Sequence, residues 1–136
     1  MKFLWIIFVF FAFHLSTLAQ KCLPLKDGEY LLYFNNSKFK QNIKIVGKKW
    51  YSELNGEITE FEIIEIGDCT FRLKSSIPPD TSKMSDFDKI LAKRPSYYDI
   101  IKREKNIYYF TLRVDLYIEE DSGMLIRKLI YRRHKN

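Results

Sequence analysis

Residues 60–74 constrain the fold of this chain most, because they combine two extended runs, a tight turn and one of its two cysteines. Phe61 and Ile63 alternate with charged residues at the period of two that is typical of a strand with one buried face. Gly67 and Asp68 are turn-forming residues, and β-branched and aromatic residues follow them. The stretch therefore predicts a β-hairpin around which the rest of the chain folds.

The apolar face of the first run changes near its end, since Ile64 and Ile66 lie opposite to Phe61 and Ile63. We expect either a β-bulge there or a strand end that is covered on both faces. In the second run, Cys69 shares a face with the large apolar side chains. The cysteine is therefore predicted to point towards the core.

Residues 1–19 have the pattern of a signal peptide. Lys2 precedes an apolar run over residues 3–15, and small residues lead up to Ala19, after which we expect cleavage. The alternative is an uncleaved N-terminal membrane anchor, although a spanning helix needs about 20 apolar residues. We expect residues 20–136 to form a single β domain that is secreted or periplasmic.

Cys22 and Cys69 both lie in the part of the chain that would be exported. An even count of cysteines in an oxidising compartment predicts one disulfide bond between them. The bond would close a loop of about 48 residues and remove about 4 kcal/mol of chain entropy from the unfolded state. A redox or nucleophilic thiol is the alternative, but the sequence has no CxxC spacing.

The first half of the expected mature chain has the pattern of an antiparallel meander. Five extended runs are joined by short connections, which force neighbouring strands to be antiparallel. Asn55-Gly56 is the strongest turn signal, because a two-residue type I′ turn needs positive φ at both positions. The predicted strands are residues 29–34, 42–46, 50–54, 58–66 and 69–74.

A short amphipathic helix and three further strands are predicted in the second half. Apolar residues recur at helical spacing over residues 83–93, and Ser82 or Ser85 would cap this helix. A turn is expected at residues 120–123. The apolar residues of the last segment also have helical spacing, so a helix is the alternative there. The predicted strands are residues 97–102, 107–118 and 125–132.

These elements predict a mainly β fold. About eight short strands with adjacent connections fit an antiparallel meander that closes as a small lipocalin-like barrel. The alternative is an open, strongly curled sheet. We expect the short helix at residues 83–93 to cover one open end or edge of the sheet. The alternatives are that it is a lid over a cavity or, on an open sheet, that it packs on one face.

The sequence offers little for catalysis or metal binding. His14 would leave with the signal peptide, so a catalytic triad or a histidine metal site would have to use His134. No phosphate-cradling glycine loop is present in the sequence. We therefore predict a noncatalytic protein without a metal or other cofactor.

Aromatic residues favour the binding of a small apolar ligand inside the barrel. They make up 16% of the chain, and several predicted strands are apolar on both faces. The alternative is that these side chains fill the core, because protein interiors are densely packed. The predicted ligand contacts are Tyr30, Leu32, Trp50, Phe61, Phe71, Tyr108 and Phe110.

A basic cluster near the C-terminus supports a second function, in which the protein is an envelope-associated interaction module. The formal net charge of the chain is +6, and a basic cluster attracts anionic lipid headgroups or an acidic protein partner. Nucleic acid is not an expected partner, because export would separate the protein from it. The cluster consists of Arg127, Lys128, Arg132, Arg133 and Lys135.

Part of the chain resembles a family of small exported Bacteroidota proteins. The resemblance covers residues 22–73 and implies a secreted or periplasmic β domain, a bond between the two cysteines and no established chemistry. Some relatives carry a DNA topoisomerase IV label, but a chain this short has room for neither an ATPase domain nor a strand-breaking domain. The residues that carry the resemblance are Cys22, Asp27-Gly28-Glu29-Tyr30, Tyr33, Phe61-x-Ile63 and Gly67-Asp68-Cys69-Thr70-Phe71-Arg72-Leu73.

Overall fold

The fold is described by a computed structural model that covers residues 21–78, 80–115 and 118–129, with the backbone alone for residues 91 and 92. The described chain is mainly β, with eight strands and one short helix. The strands are β1 (Gly28–Phe34), β2 (Lys40–Val46), β3 (Lys49–Leu54), β4 (Glu57–Glu65), β5 (Thr70–Ser75), β6 (Ser96–Glu104), β7 (Ile107–Val114) and β8 (Ile118–Arg127), and the helix is α1 (Asp86–Lys93).

The strands close into an antiparallel barrel. Each strand pairs with the next one along the chain, and β8 returns to pair with β1. Tyr30 on β1, for example, lies opposite Ile43 on β2 and opposite Arg127 on β8. The predicted meander is therefore confirmed, and it closes as a barrel rather than remaining an open sheet.

The first five strands form where the sequence predicted them, with ends that differ by one or two residues. Asn55 and Gly56 make the tight turn between β3 and β4, with φ angles of 52° and 81°. These positive values are what a type I′ turn requires. The local turn signal therefore sets the register of this hairpin correctly.

Aromatic side chains fill the middle of the barrel. The ring of Phe71 stacks on that of Tyr98, with 5.0 Å between centroids and 5° between planes. Trp50 and Phe110 pack on either side, at 6.0 and 5.2 Å from the ring of Tyr98. Close packing of this kind excludes water from the interior and accounts for much of the burial that stabilises a small domain.

Residues 21–27 close one end of the barrel. Leu23 and Leu25 are buried in the core, at 3% and 4% exposure. The Cys22–Cys69 disulfide bond joins this segment to the connection between β4 and β5, with 4.8 Å between the two Cα atoms. The predicted bond is confirmed, and we call residues 21–27 the plug segment.

The prediction for the end of β4 is wrong. The pairing of β4 with β5 runs from Phe61 opposite Ser75 to Glu65 opposite Phe71 without a shift in register, so no β-bulge interrupts it. Ile66 lies beyond the strand and is 54% exposed. Its side chain faces solvent because the chain is already turning towards the cysteine.

The boundary between β7 and β8 also differs from the prediction. The strand expected at residues 107–118 ends at Val114, and Asp115 has a φ of 56°. The turn expected at residues 120–123 is wrong, because these residues belong to β8. The last segment is a strand rather than a helix through Arg127, while residues 130–132 of its predicted extent lie outside the described residues.

Contacts of Gly123 and Asp121 explain why turn-forming residues occupy a strand. A Cβ atom on Gly123 would lie 1.9 Å from the carbonyl oxygen of Tyr33 on β1, so the two strands approach too closely for any side chain there. Asp121 is buried, and its carboxylate accepts hydrogen bonds from the backbone N–H groups of Asn36 and Ser122 at 2.9 and 2.7 Å. Gly123 and Asp121 therefore allow β8 to pack against β1 and the turn after it, instead of forming a turn themselves.

The helix forms as predicted but begins three residues later, at Asp86. Ser85 caps it: its hydroxyl accepts from the N–H group of Asp88 at 3.1 Å and donates to the carboxylate of Asp88 at 2.6 Å. Phe87 and Ile90 are 68% and 54% exposed. These two apolar side chains therefore do not cover the sheet.

Candidate functional site

A small basic pocket opens at the end of the barrel that the plug segment closes. Its volume is about 170 Å³. We call it the basic mouth. It is lined by Lys26, Arg103, Lys105, Asn106, Tyr108, Arg127 and Leu129.

Strand pairing brings the basic mouth together from four places in the sequence. Lys26 precedes β1, Arg103 lies near the end of β6, and Lys105 lies in the turn between β6 and β7. Arg127 ends β8, which pairs with both β1 and β7. The pairing of β6, β7 and β8 places Arg103, Lys105 and Arg127 together, and closure of the barrel between β8 and β1 adds Lys26.

Hydrogen bonds hold both the side chain and the backbone of Arg127 in place. Its Nε and Nη2 atoms donate to the carbonyl oxygen of Asp27, at 3.1 and 2.7 Å. Its own carbonyl accepts from the side-chain amide of Asn106 at 2.7 Å, and its N–H group donates to the carbonyl of Asn106 at 2.8 Å. The guanidinium group is therefore held at the rim before any ligand arrives.

Gly28 leaves the space that this position of Arg127 needs. Its φ of 149° lies in a region that residues with a side chain rarely adopt. A Cβ atom there would also lie 2.9 Å from the Nε atom of Arg127. The Asp27-Gly28 pair, which marks the start of β1 in the sequence, thus also positions a side chain of the mouth.

Arg103 lies over the buried ring of Tyr108. Its guanidinium carbon is 5.1 Å from the ring centroid, which is a cation–π contact. Within the described ranges, Arg103, Lys105 and Lys26 have no carboxylate within salt-bridge distance. The mouth therefore has a positive charge that no described protein group neutralises.

A pair of buried tyrosines lies beneath these cations. The ring centroids of Tyr30 and Tyr108 are 6.2 Å apart, and the hydroxyl of Tyr30 donates to the carbonyl oxygen of Lys26 at 2.5 Å. Burial, followed by the neighbouring Tyr108, raises the pKa of Tyr30 above its ordinary value. Its hydroxyl stays protonated at neutral pH and holds Lys26 at the rim.

The residues predicted to contact an apolar ligand mostly pack against each other. Phe61 is partly buried against the core, and each of the others is exposed by 3% or less. Tyr108 is the member of this set that lines the basic mouth. As ligand contacts, Tyr30, Leu32, Trp50, Phe61, Phe71, Tyr108 and Phe110 stay a prediction.

The predicted basic cluster divides at the end of β8. Arg127 lines the mouth, whereas Lys128 lies 3.7 Å from the carboxylate of Glu29 on the outer surface. Arg132, Arg133 and Lys135 lie outside the described residues. Contact of the cluster with an envelope surface therefore stays a prediction.

Sequence reasoning missed Lys26, Arg103 and Lys105. Lys26 is a lone basic residue in its segment, whereas Arg103 and Lys105 belong to the mixed charged run at residues 102–105, which matches no binding motif. One signal was present: Arg103 and Lys105 lie in the short connection between two predicted strands, at residues 103–106, and such a connection lies at a barrel end. The partners that complete the site are more than twenty residues away.

The described residues also bear on metal binding and on membrane crossing. No three histidine, cysteine or acidic side chains in the described ranges lie close enough to hold a metal ion. No helix in the same ranges is long and apolar enough to cross a membrane. The absence of a catalytic site or metal stays a prediction.

Comparison with protein-family models, with curated proteins and with solved structures finds no significant match for this chain. The resemblance of residues 22–73 to small exported proteins therefore stays a prediction.

Proposed function

We propose that this chain is an exported, noncatalytic binding domain that holds a small anionic ligand at the basic mouth. The observation that carries the proposal is the lining of the pocket, which, among the described residues, has four cationic side chains, Lys26, Arg103, Lys105 and Arg127, and no acidic one. Cations that converge on one pocket repel each other, so a bound anion relieves that repulsion as well as gaining attraction.

The chemistry of the mouth favours a carboxylate or phosphate group on a short apolar arm. A guanidinium group such as that of Arg103 can donate two parallel hydrogen bonds to either group. The volume of about 170 Å³ is below the range of about 300–1,000 Å³ that is usual for larger ligands. Leu129, which is 55% exposed, and the ring of Tyr108 offer contacts for the arm.

Export and a lipocalin-like mode of binding complete the proposal. The signal-peptide pattern at residues 1–19 supports export, and the Cys22–Cys69 bond suits an oxidising compartment. A closed eight-stranded barrel can receive a ligand at one end. Here the ligand lies at the mouth because aromatic side chains occupy the interior.

The proposal is tested by titrating isotope-labelled protein with inorganic phosphate, hexanoate and hexyl phosphate in NMR experiments. We expect saturable shifts of the amide signals of Lys105, Asn106 and Arg127, and weaker binding as salt is added. Hexanol is the uncharged control for the arm. Binding of hexanol as tight as that of hexanoate, or shifts confined to another surface, would contradict the proposal.

Arg103→Gln tests the charge of the mouth. A charge-assisted hydrogen bond contributes about 1.5–3 kcal/mol, so we expect the variant to bind hexyl phosphate at least about tenfold more weakly. Arg94→Gln is the matched control, because Arg94 lies at the opposite end of β6, 3.8 Å from Asp115. Equal affinity of the Arg103 variant and the unmodified protein would rule out this site.

A further inference from the structure

A larger groove lies on the outer surface of the barrel and is lined by residues other than those of the basic mouth. Its volume is about 470 Å³. Outward side chains of β2, Asn42 and Lys44, form its floor, while Glu29 and Lys128 form one wall and Tyr51 lies on the other. We call it the outer groove. Its size falls within the usual range of about 300–1,000 Å³ for small-molecule sites.

The charges of the outer groove are balanced, unlike those of the basic mouth. Its two carboxylates, on Glu29 and Glu53, are matched by the ammonium groups of Lys44 and Lys128. Lys128 lies 3.7 Å from Glu29 and donates to the side-chain oxygen of Asn42 at 3.2 Å. A groove without net charge has no reason to prefer an ion of either sign.

Three polar groups in the groove are available to a ligand. The hydroxyl of Tyr51, the carboxylate of Glu53 and the ammonium group of Lys44 have no hydrogen-bond partner within the described part of the chain. The ammonium group can donate hydrogen bonds to a ligand, the carboxylate can accept them, and the tyrosine hydroxyl can do both. A hydroxyl group also donates and accepts, so a ligand that carries several hydroxyls matches this set.

Apolar surface lies beside these polar groups. The ring of Tyr51 is half-buried, and Val46 and Ile58 are 47% and 70% exposed. A pyranose ring has the same division, with C–H groups on its face and hydroxyls around its edge. The ring of Tyr51 can accept the C–H face while its neighbours bond the edge.

We propose that the outer groove is a binding site for a neutral saccharide, with Tyr51 as its platform and Asn42, Lys44 and Glu53 as its polar contacts. The site does not depend on the basic mouth, because the two share no lining residue. Since the groove is open along the barrel surface, a short oligosaccharide can occupy it while a longer chain extends past its ends.

The proposal is tested by saturation-transfer NMR with a panel of neutral mono- to tetrasaccharides built from glucose, galactose, mannose and N-acetylglucosamine, at millimolar concentration. We expect at least one of them to bind and to receive saturation on its ring C–H groups. Tyr51→Ala should weaken that binding by about tenfold or more, and Glu53→Gln should weaken it severalfold.

Tyr109→Ala is the matched control, since Tyr109 is also a half-buried tyrosine but lies on β7, where its hydroxyl bonds Glu104. It should leave saccharide affinity unchanged, as should Arg103→Gln in the basic mouth. The proposal is overturned if no panel member binds, or if Tyr51→Ala binds as well as the unmodified protein. It is also overturned if hexyl phosphate displaces the saccharide in direct competition.

Discussion

Asp99 joins three strands through its side chain. Its carboxylate accepts a hydrogen bond from the hydroxyl of Thr70 on β5 at 2.8 Å and two from Arg113 on β7, one of them at 3.0 Å from Nη2. The guanidinium group of Arg113 also lies 5.3 Å from the ring centroid of Tyr97. The side chains of Arg113 and Asp99 are about three-quarters buried, so solvent screens the attraction between them less than it screens that of the exposed ion pairs.

This contact predicts a specific loss of stability in acid. Arg113 holds the pKa of Asp99 below its ordinary value, although burial opposes the shift. A carboxyl group with a lowered pKa in the folded state stabilises the protein above its unfolded pKa of about 3.9, and that contribution is lost as the pH falls through the folded pKa. We expect Asp99→Asn to lower the free energy of unfolding at neutral pH by about 1–3 kcal/mol and to flatten its decline in acid.

Urea unfolding from neutral pH into strong acid measures both effects. Asp86→Asn is the control, because the carboxylate of Asp86 is fully exposed and lies 3.5 Å from Lys89. It should change neither quantity appreciably. An Asp99 variant whose stability declines in acid as steeply as that of the unmodified protein would contradict the assignment.

Sequence alternation identified the inward residues well but could not identify this pair. Tyr30, Trp50, Phe71 and Phe110 were predicted to face the inside of the barrel as ligand contacts, and all are buried. The contact of Asp99 with a residue of β7 depends instead on the strand register. The register between β6 and β7 shifts between Ile100 and Lys102, and the register between β7 and β8 shifts between Leu112 and Arg113. Alternation does not reveal such shifts.

Among the elements, the plug segment depends most on one covalent bond. The Cys22–Cys69 bond spans 47 residues of sequence, and the N–H groups of Cys22 and Leu23 also donate to the carbonyl of Asp68 at 3.2 and 3.0 Å. Leu23 and Leu25 are in turn buried under the barrel. The disulfide bond, the backbone hydrogen bonds and the burial of the two leucines thus all hold the plug segment in place.

We expect the double variant Cys22→Ser, Cys69→Ser to fold but to lose up to about 4 kcal/mol in free energy of unfolding, since the bond restricts the unfolded chain. The backbone hydrogen bonds to Asp68 should retain part of the plug. Urea unfolding of the variant and of the unmodified protein, each with and without reductant, measures the loss. A reductant that destabilises both proteins equally would contradict this explanation.

The elements of the second half show where local composition is a poor guide. Residues 120–123 have the composition of a turn, yet they lie in β8, and the chain turns instead after Val114. The close approach of β1 to Gly123 and the buried bonds of Asp121 are contacts between distant segments. A helix, in contrast, depends on its own spacing and cap, which is why α1 was located correctly.

On the scale of the whole molecule, closure of the barrel creates the basic mouth. Short connections alone predict an antiparallel meander, but they do not say that β8 meets β1. That meeting brings Arg127 to Asp27 and adds Lys26 to the cations that the pairing of β6, β7 and β8 already places together. The complete mouth could therefore not be predicted from sequence, whereas the bond that ties the plug segment to the same end was predicted from two cysteines.

Closure is weakest between β5 and β6. In the described structure three residue pairs form this ladder, from Thr70 opposite Asp99 to Arg72 opposite Tyr97, compared with eight between β7 and β8. The N–H group of Ile100 adds a hydrogen bond to the carbonyl of Cys69 at 2.8 Å, next to the disulfide bond. The contact between β5 and β6 is thus hydrogen-bonded at the end that the plug segment closes and has fewer paired residues towards α1.

Native-state hydrogen exchange should detect this asymmetry. Local openings cost less free energy where fewer hydrogen bonds break together, so we expect the amides that bond across β5 and β6 to exchange faster than those between β7 and β8. Because Asp99 bonds Thr70 between β5 and β6, Asp99→Asn should speed exchange there more than in the β2–β3 ladder, which should accelerate by no more than the loss of global stability. Equal acceleration of all ladders would show global destabilisation instead, and first opening between β8 and β1 would show that the barrel closes most weakly elsewhere.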